Sequence, residues 1–110
     1  MLIRAKESYR SWHNELVNLK RVDQYTIGEK IDETFLLLLE LTFRACFASN
    51  KLEKLSYISA AITKSDILKF LLQLAWEQKI LNHKKYGEFI LDLDEVGRML
   101  GGWKKKTPAR

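Results

Sequence analysis

Cysteine, proline and glycine are all scarce in this chain of 110 residues, which has one, one and five of them. A single cysteine, Cys46, cannot form a disulfide within the chain, and a lone thiol in an apolar run suits a reducing compartment, so a cytoplasmic location is expected. With one cysteine and two histidines far apart in sequence there is no zinc set. A ferritin-like di-metal site would need an acid three residues before a histidine. Those positions, ahead of His13 and His83, are Arg10 and Ile80. Gly28, Gly87, Gly97, Gly101 and Gly102 make neither a phosphate-binding loop nor a dinucleotide fingerprint, so no cofactor is expected. The longest apolar run, residues 35–39, is far short of the about 20 residues of a membrane span. Charges at Arg4, Lys6, Glu7 and Arg10 interrupt any signal-peptide core. Cys46 has no activating neighbour and is expected to act as a small core hydrophobe. These exclusions make an enzyme the weakest reading and a binding protein the strongest.

What is present favours helix throughout: Leu, Lys, Glu and Ile are abundant and breakers are few. Residues 4–20 form a first amphipathic helix, with Tyr9, Trp12, Leu16 and Leu19 on one face. Thr26 followed by Glu29 reads as a capping box, placing the start of a second helix there and its end near Ala48. Ser49-Asn50 supplies a turn and the cap of a third helix, which runs to about Leu81 with a possible bend at 63–65. Asn82 caps a fourth. There Tyr86, Phe89, Leu93, Val96, Leu100 and Trp103 are spaced 3-4-3-4-3, the period of a bundle seam. Gly97 and Gly101 beside that seam suggest either close approach by another helix, the preferred reading, or a helix end at Gly101. The expected fold is all-α, an up-down four-helix bundle over residues 1–103 followed by a basic tail, 104–110.

The second helix is too hydrophobic for one core-facing stripe. Ile27, Ile31, Phe35, Leu38, Thr42 and Ala45 account for one side. Leu36, Phe43 and Phe47 lie about 80 to 120° around the helix from Phe35. The third helix has a similar excess between Ile67 and Trp76. Either compact packing covers both faces or these residues form a subunit interface, the preferred reading.

Charge is also unevenly placed. The net charge of +5 comes from Arg98, Lys104, Lys105, Lys106 and Arg110, because residues 1–97 hold 14 basic and 14 acidic side chains. Such an end either aids solubility or attracts a polyanion.

The segment Tyr25-Thr26-Ile27-Gly28-Glu29-Lys30-Ile31, together with Glu95-Val96-Gly97-Arg98-Met99-Leu100-Gly101-Gly102-Trp103, resembles the Avd-like four-helix-bundle family. Its members are accessory variability determinants of diversity-generating retroelements and relatives encoded in intervening sequences of bacterial 23S rRNA genes. The resemblance implies a basic, barrel-like homopentamer. It also implies an accessory protein without activity of its own, binding a reverse transcriptase and RNA or DNA to support mutagenic cDNA synthesis. The alternative within the family is an rRNA-intervening-sequence protein acting as an RNA-binding or protein–protein adaptor. The family's basic pair on the third helix falls here on Leu68, Lys69, Phe70 and Gln73, keeping one cation. Lys69, Arg98, Lys104, Lys105 and Lys106 are the expected phosphate contacts, and Leu36, Phe43 and Phe47 the expected oligomer interface.

Overall fold

The computed structural model describes residues 2–107, and every regular element in that span is helical. Helix α1 (Leu2–Val17) is followed by a turn at Lys20, whose extended backbone (φ −59°, ψ 148°) opens α2 (Arg21–Asp23). A π-helical turn (Gln24–Gly28) carries α2 without a break into α3 (Glu29–Cys46), so these three pieces form one continuous helical segment. Helix α4 (Lys51–Glu77) and helix α5 (His83–Lys105) complete four antiparallel segments in up-down order. The molecule measures 48 × 22 × 20 Å.

Asparagines set the two later helix starts. The Asn50 side chain accepts from the Glu53 backbone N–H and the Asn82 side chain from that of Lys85, both at 2.8 Å. Each bond satisfies one of the amides a helix leaves unpaired at its first turn.

Several expectations are corrected. Thr26 and Glu29 do not cap a helix, because Thr26 lies inside one and its hydroxyl donates to the Val22 carbonyl at 2.8 Å. A threonine can bond back one turn as readily as forward, so the spacing alone does not distinguish the two. Helix α4 runs through 63–65 unbroken, and α5 continues past Gly101 to Lys105. Cys46 is exposed at the end of α3 rather than in the core. A Cβ at Gly97 or Gly101 would meet nothing within 4 Å, so neither marks a close approach of helices within the chain.

The glycine that closeness requires is Gly28. The π turn tucks it under α1, where an added Cβ would lie 2.7 Å from the Asp23 carbonyl oxygen and 2.9 Å from Leu16 Cδ1. The extra residue in the turn rotates the helix by part of a turn, so the Ile31, Phe35, Leu38, Thr42 and Ala45 stripe faces inward below it.

Around the bundle axis α3 neighbours α1 and α4, and α5 neighbours α4 and α1. The core combines the α3 stripe with Leu68, Leu72 and Ala75 of α4, Phe89, Leu93, Val96 and Leu100 of α5, and Ala5 and Trp12 of α1. Each large side chain contributes about 1.5–3 kcal/mol by leaving water. At its centre Phe35 meets Phe89 edge-on at 6.5 Å, with Tyr9 against Phe35 (5.7 Å) and Trp12 against Phe89 (6.4 Å). Ion pairs fix the antiparallel register of α1 on α5. Arg4 reaches Asp92 at 3.3 Å and Glu95 at 3.2 Å, and Lys85 lies 3.9 Å from Glu15. In that register α1 stops short of the last turns of α5.

The Tyr9 hydroxyl donates to Asp32 at 2.8 Å. Its pKa is pushed up from 10.0 to about 12, by burial first and then by the bond to Asp32 and that carboxylate's charge. A raised pKa gives stability that is complete below pH 10 and lost as pH rises to 12.

Two outcomes follow for urea unfolding. Gly28→Ala is expected to lose about 2 kcal/mol, since the neighbours of the new methyl include backbone that cannot move aside. Tyr9→Phe should lose about 1 kcal/mol at pH 7, and the gap to the parent protein should narrow between pH 10 and 12.

Candidate functional site

A helix buries only the side chains on its inward face, and α3, α4 and α5 all carry large apolar residues on their outer faces as well. Leu36 and Phe43 of α3 and Phe47, which caps it, are 47, 54 and 73 % exposed, as their angular positions predict. Phe43 and Phe47, one turn apart, bring their rings to 4.8 Å. With Leu2, Ile3, Lys6 and Leu39 they line an open groove of about 560 Å³ between the first turn of α1 and the last turns of α3. Leu36 lies two turns before Phe43, outside that groove. Ile67 and Phe70 on α4 and Leu91 on α5 are also exposed.

The five expected phosphate-binding residues divide into two groups. Lys69 and Arg98 share a shallow cleft between α4 and α5 with Asp66 and Asp94. Lys69 lies 3.3 Å from Asp94 and 3.7 Å from Asp66, so its charge is already met by carboxylates. Arg98 is exposed and makes no ion pair among the described residues.

Lys104 and Lys105 form the last turn of α5, where cations complement the helix dipole, and Lys106 caps it. The chain then turns at Thr107, whose hydroxyl donates to the Trp103 carbonyl at 3.0 Å. Arg110, the last of the C-terminal cations, lies outside the described residues.

Two further lysines belong to this end. Lys54 sits 5.3 Å above the Trp103 ring, and Lys51 precedes it by one turn. The Asn50 cap identifies both as first-turn residues of α4. Nothing local in the sequence links them to residues 50 positions later; the antiparallel packing of α4 on α5 does. Five lysines therefore gather at one end of the bundle, with Glu53 beside them, hydrogen-bonded to the Ser49 hydroxyl at 2.8 Å.

Among the described residues no cluster of histidine, cysteine and carboxylate could hold a metal ion, and no helix is long and apolar enough to cross a membrane. Besides Tyr9, one group is clearly shifted. The Arg44 guanidinium is held above its usual value by the Tyr57 hydroxyl and then by Glu40, 3.4 Å away. Both shifts move a pKa further above neutral pH, so neither prepares a proton-transfer residue. The clefts are open and shallow, and what the surface offers is charge at one end and apolar side chains along the outside.

A family model described as bAvd-like matches residues 4–107. No curated protein and no solved structure matches the chain.

Proposed function

The chain belongs to the bAvd-like family, and we propose that it is a non-catalytic accessory protein of a diversity-generating retroelement, binding a reverse transcriptase and RNA or DNA during mutagenic cDNA synthesis. Accessory proteins of the Avd-like family are generally non-catalytic. The observation that carries the reading beyond the family is the gathering of Lys51, Lys54, Lys104, Lys105 and Lys106 at one end of the bundle. Lysines presented this way contact phosphates irrespective of base, so binding is sequence-tolerant and falls steeply with salt. Arg98 extends the surface toward the middle of α5. Lys69, held by two carboxylates, contributes least to it.

The apolar outer faces support self-association. Leu36, Phe43 and Phe47 lie on a different helical segment from Ile67, Phe70 and Leu91, and an interface joining unlike surfaces is head-to-tail, the geometry that closes into rings. A homopentameric barrel fits that geometry, with Leu36, Phe43 and Phe47 on one side of each joint. In a ring the basic ends of successive protomers come together, which multiplies the local positive potential. The reverse transcriptase is the expected macromolecular partner beyond nucleic acid. The adaptor alternative keeps the same bundle and interface without retroelement chemistry. A reverse-transcriptase gene beside this one, or an insertion within an rRNA gene, separates the two.

Two measurements test this reading. The parent protein should scatter light as an oligomer at micromolar concentration, and Phe43→Asp/Phe47→Asp should shift it to monomer while leaving its helical circular dichroism intact. Lys104→Glu/Lys105→Glu/Lys106→Glu should weaken RNA binding at least tenfold at 50 mM salt. A parent protein with no RNA or DNA affinity at low salt, or one that stays monomeric, contradicts the corresponding part of the proposal.

A further inference from the structure

The opposite end of the bundle carries a second basic surface, and two of its features work against the stability of the fold. There the turn between α1 and α2, with Lys20 and Arg21, meets the turn between α4 and α5. Helix α4 ends in a paired carbonyl closure. The Lys79 N–H donates to the Trp76 carbonyl at 3.0 Å and the Ile80 N–H to the Ala75 carbonyl at 2.9 Å. The geometry puts Lys79 at φ 61°, the one positive φ outside glycine among the described residues. Glycine or asparagine fills that position at little cost, whereas the lysine Cβ crowds the following carbonyl. The second feature is the first turn of α5, which holds His83, Lys84 and Lys85 and no acid. Cations there oppose the helix dipole. Residues that conflict with the local preferences of their own fold are where function is to be sought.

The geometry around Lys79 is open and polar. Lys79 lies between two adjoining clefts, one shared with Asn18, Lys20 and Asp23, the other with Glu15, Trp76 and His83. Among the described residues Lys20, Arg21, Lys79 and Lys84 make no ion pair, while Lys85 is held by Glu88 at 3.5 Å and Glu15 at 3.9 Å. Asp23 and Glu77 are the nearby acids outside those pairs. Tyr25 is 65 % exposed, and the Arg21 guanidinium lies 5.8 Å from the centre of its ring. Exposed cations beside an exposed aromatic ring suit a single strand, whose unpaired bases can stack while its phosphates are held.

We propose that this end of the bundle is a second nucleic-acid surface, on which Lys20, Arg21, Lys79 and Lys84 take the phosphates of a single strand and Tyr25 stacks on a base. The inference rests on the nucleic-acid reading above but concerns a different site. Helix α5 separates the two ends by roughly 33 Å at about 1.5 Å per residue, and between them it carries Glu88, Asp92, Asp94 and Glu95. No continuous basic track joins them along that helix.

The test uses a fluorescent 20-nucleotide uridine RNA and the full-length protein, with anisotropy measured from 50 to 200 mM salt. Lys79→Gly should melt about 4 °C higher, because the strain is relieved. It should nevertheless bind about fivefold more weakly, with a salt slope smaller by about 1. Lys79→Arg should keep both the affinity and the melting temperature of the parent. Higher stability with weaker binding is a combination that loss of structure cannot produce. Lys84→Gln and Tyr25→Ala should each weaken binding as well.

Lys79→Gly and Lys84→Gln proteins that bind as tightly as the parent overturn the inference. If binding is meanwhile abolished by charge reversal at Lys104, Lys105 and Lys106, the C-terminal reading stands alone. A parent protein that does not bind the RNA overturns both. Loss of binding to polyglutamate but not to the RNA would make an acidic protein the partner and also overturn the proposal.

Discussion

Phe35 of α3 and Phe89 of α5 meet edge-to-face across the diagonal of the bundle, with Tyr9 and Trp12 of α1 closing on them from the third side. Aromatic pairs in this arrangement gain beyond the area they bury, and four rings contributed by three segments tolerate few relative displacements. Fixing Phe35 inward sends Ile31, Leu38, Thr42 and Ala45 inward with it, at helical spacing. Leu36, Phe43 and Phe47 are then turned outward. Fixing Phe89 does the same for α5, with Leu93, Val96 and Leu100 inside and Leu91 outside. The exposed apolar surface is thus a geometric consequence of how the core is registered.

The π turn is the second constraint. A continuous helical segment over residues 21–46 would present one unchanging stripe to its neighbours, yet its first part must meet the end of α1 and its second part the bundle core. One wider turn reconciles the two, and Gly28 admits α1 at the place where the rotation occurs. The Gln24 side-chain amide ties the same junction, donating to the carbonyls of Leu16 at 3.0 Å and Val17 at 3.3 Å at the end of α1. Those carbonyls are among the acceptors a helix leaves unpaired at its last turn.

Charge is arranged by the same antiparallel order. Acids on the middle of α5 are used in bridges to Arg4 of α1 and to Lys69 of α4, which neutralise the waist of the molecule. Among the described residues, Lys51, Lys54, Lys104, Lys105 and Lys106 at one end and Lys20, Arg21, Lys79 and Lys84 at the other make no such bridge, and turns bring them together from distant parts of the chain. A chain whose first 97 residues balance in charge therefore still folds into a body with separated basic regions. The apolar flank reaches one of those ends, where Phe43 and Phe47 line a shallow cleft with Glu53 of α4.

Legible along the chain are the all-helical class, the two asparagine caps, the inward stripe of α3, the seam of α5 and the outward position of Leu36, Phe43 and Phe47. All of these follow from the period of a single helix and from bonds between residues three or four apart, which the chain carries locally. It also carries the family resemblance in its Tyr25–Ile31 and Glu95–Trp103 segments, both within the 4–107 span that the family model matches. Packing between segments settles that Thr26 bonds backward within a continuous helix, that Gly28 rather than Gly97 or Gly101 is the tightly packed glycine, and that Cys46 lies in solvent. It alone decided that Lys69 is taken by Asp94 and that Lys54 joins Trp103 and the C-terminal lysines. Each of these depends on which segment lies beside which, and that is fixed by the packing of side chains far apart along the chain, about which local spacing carries no information.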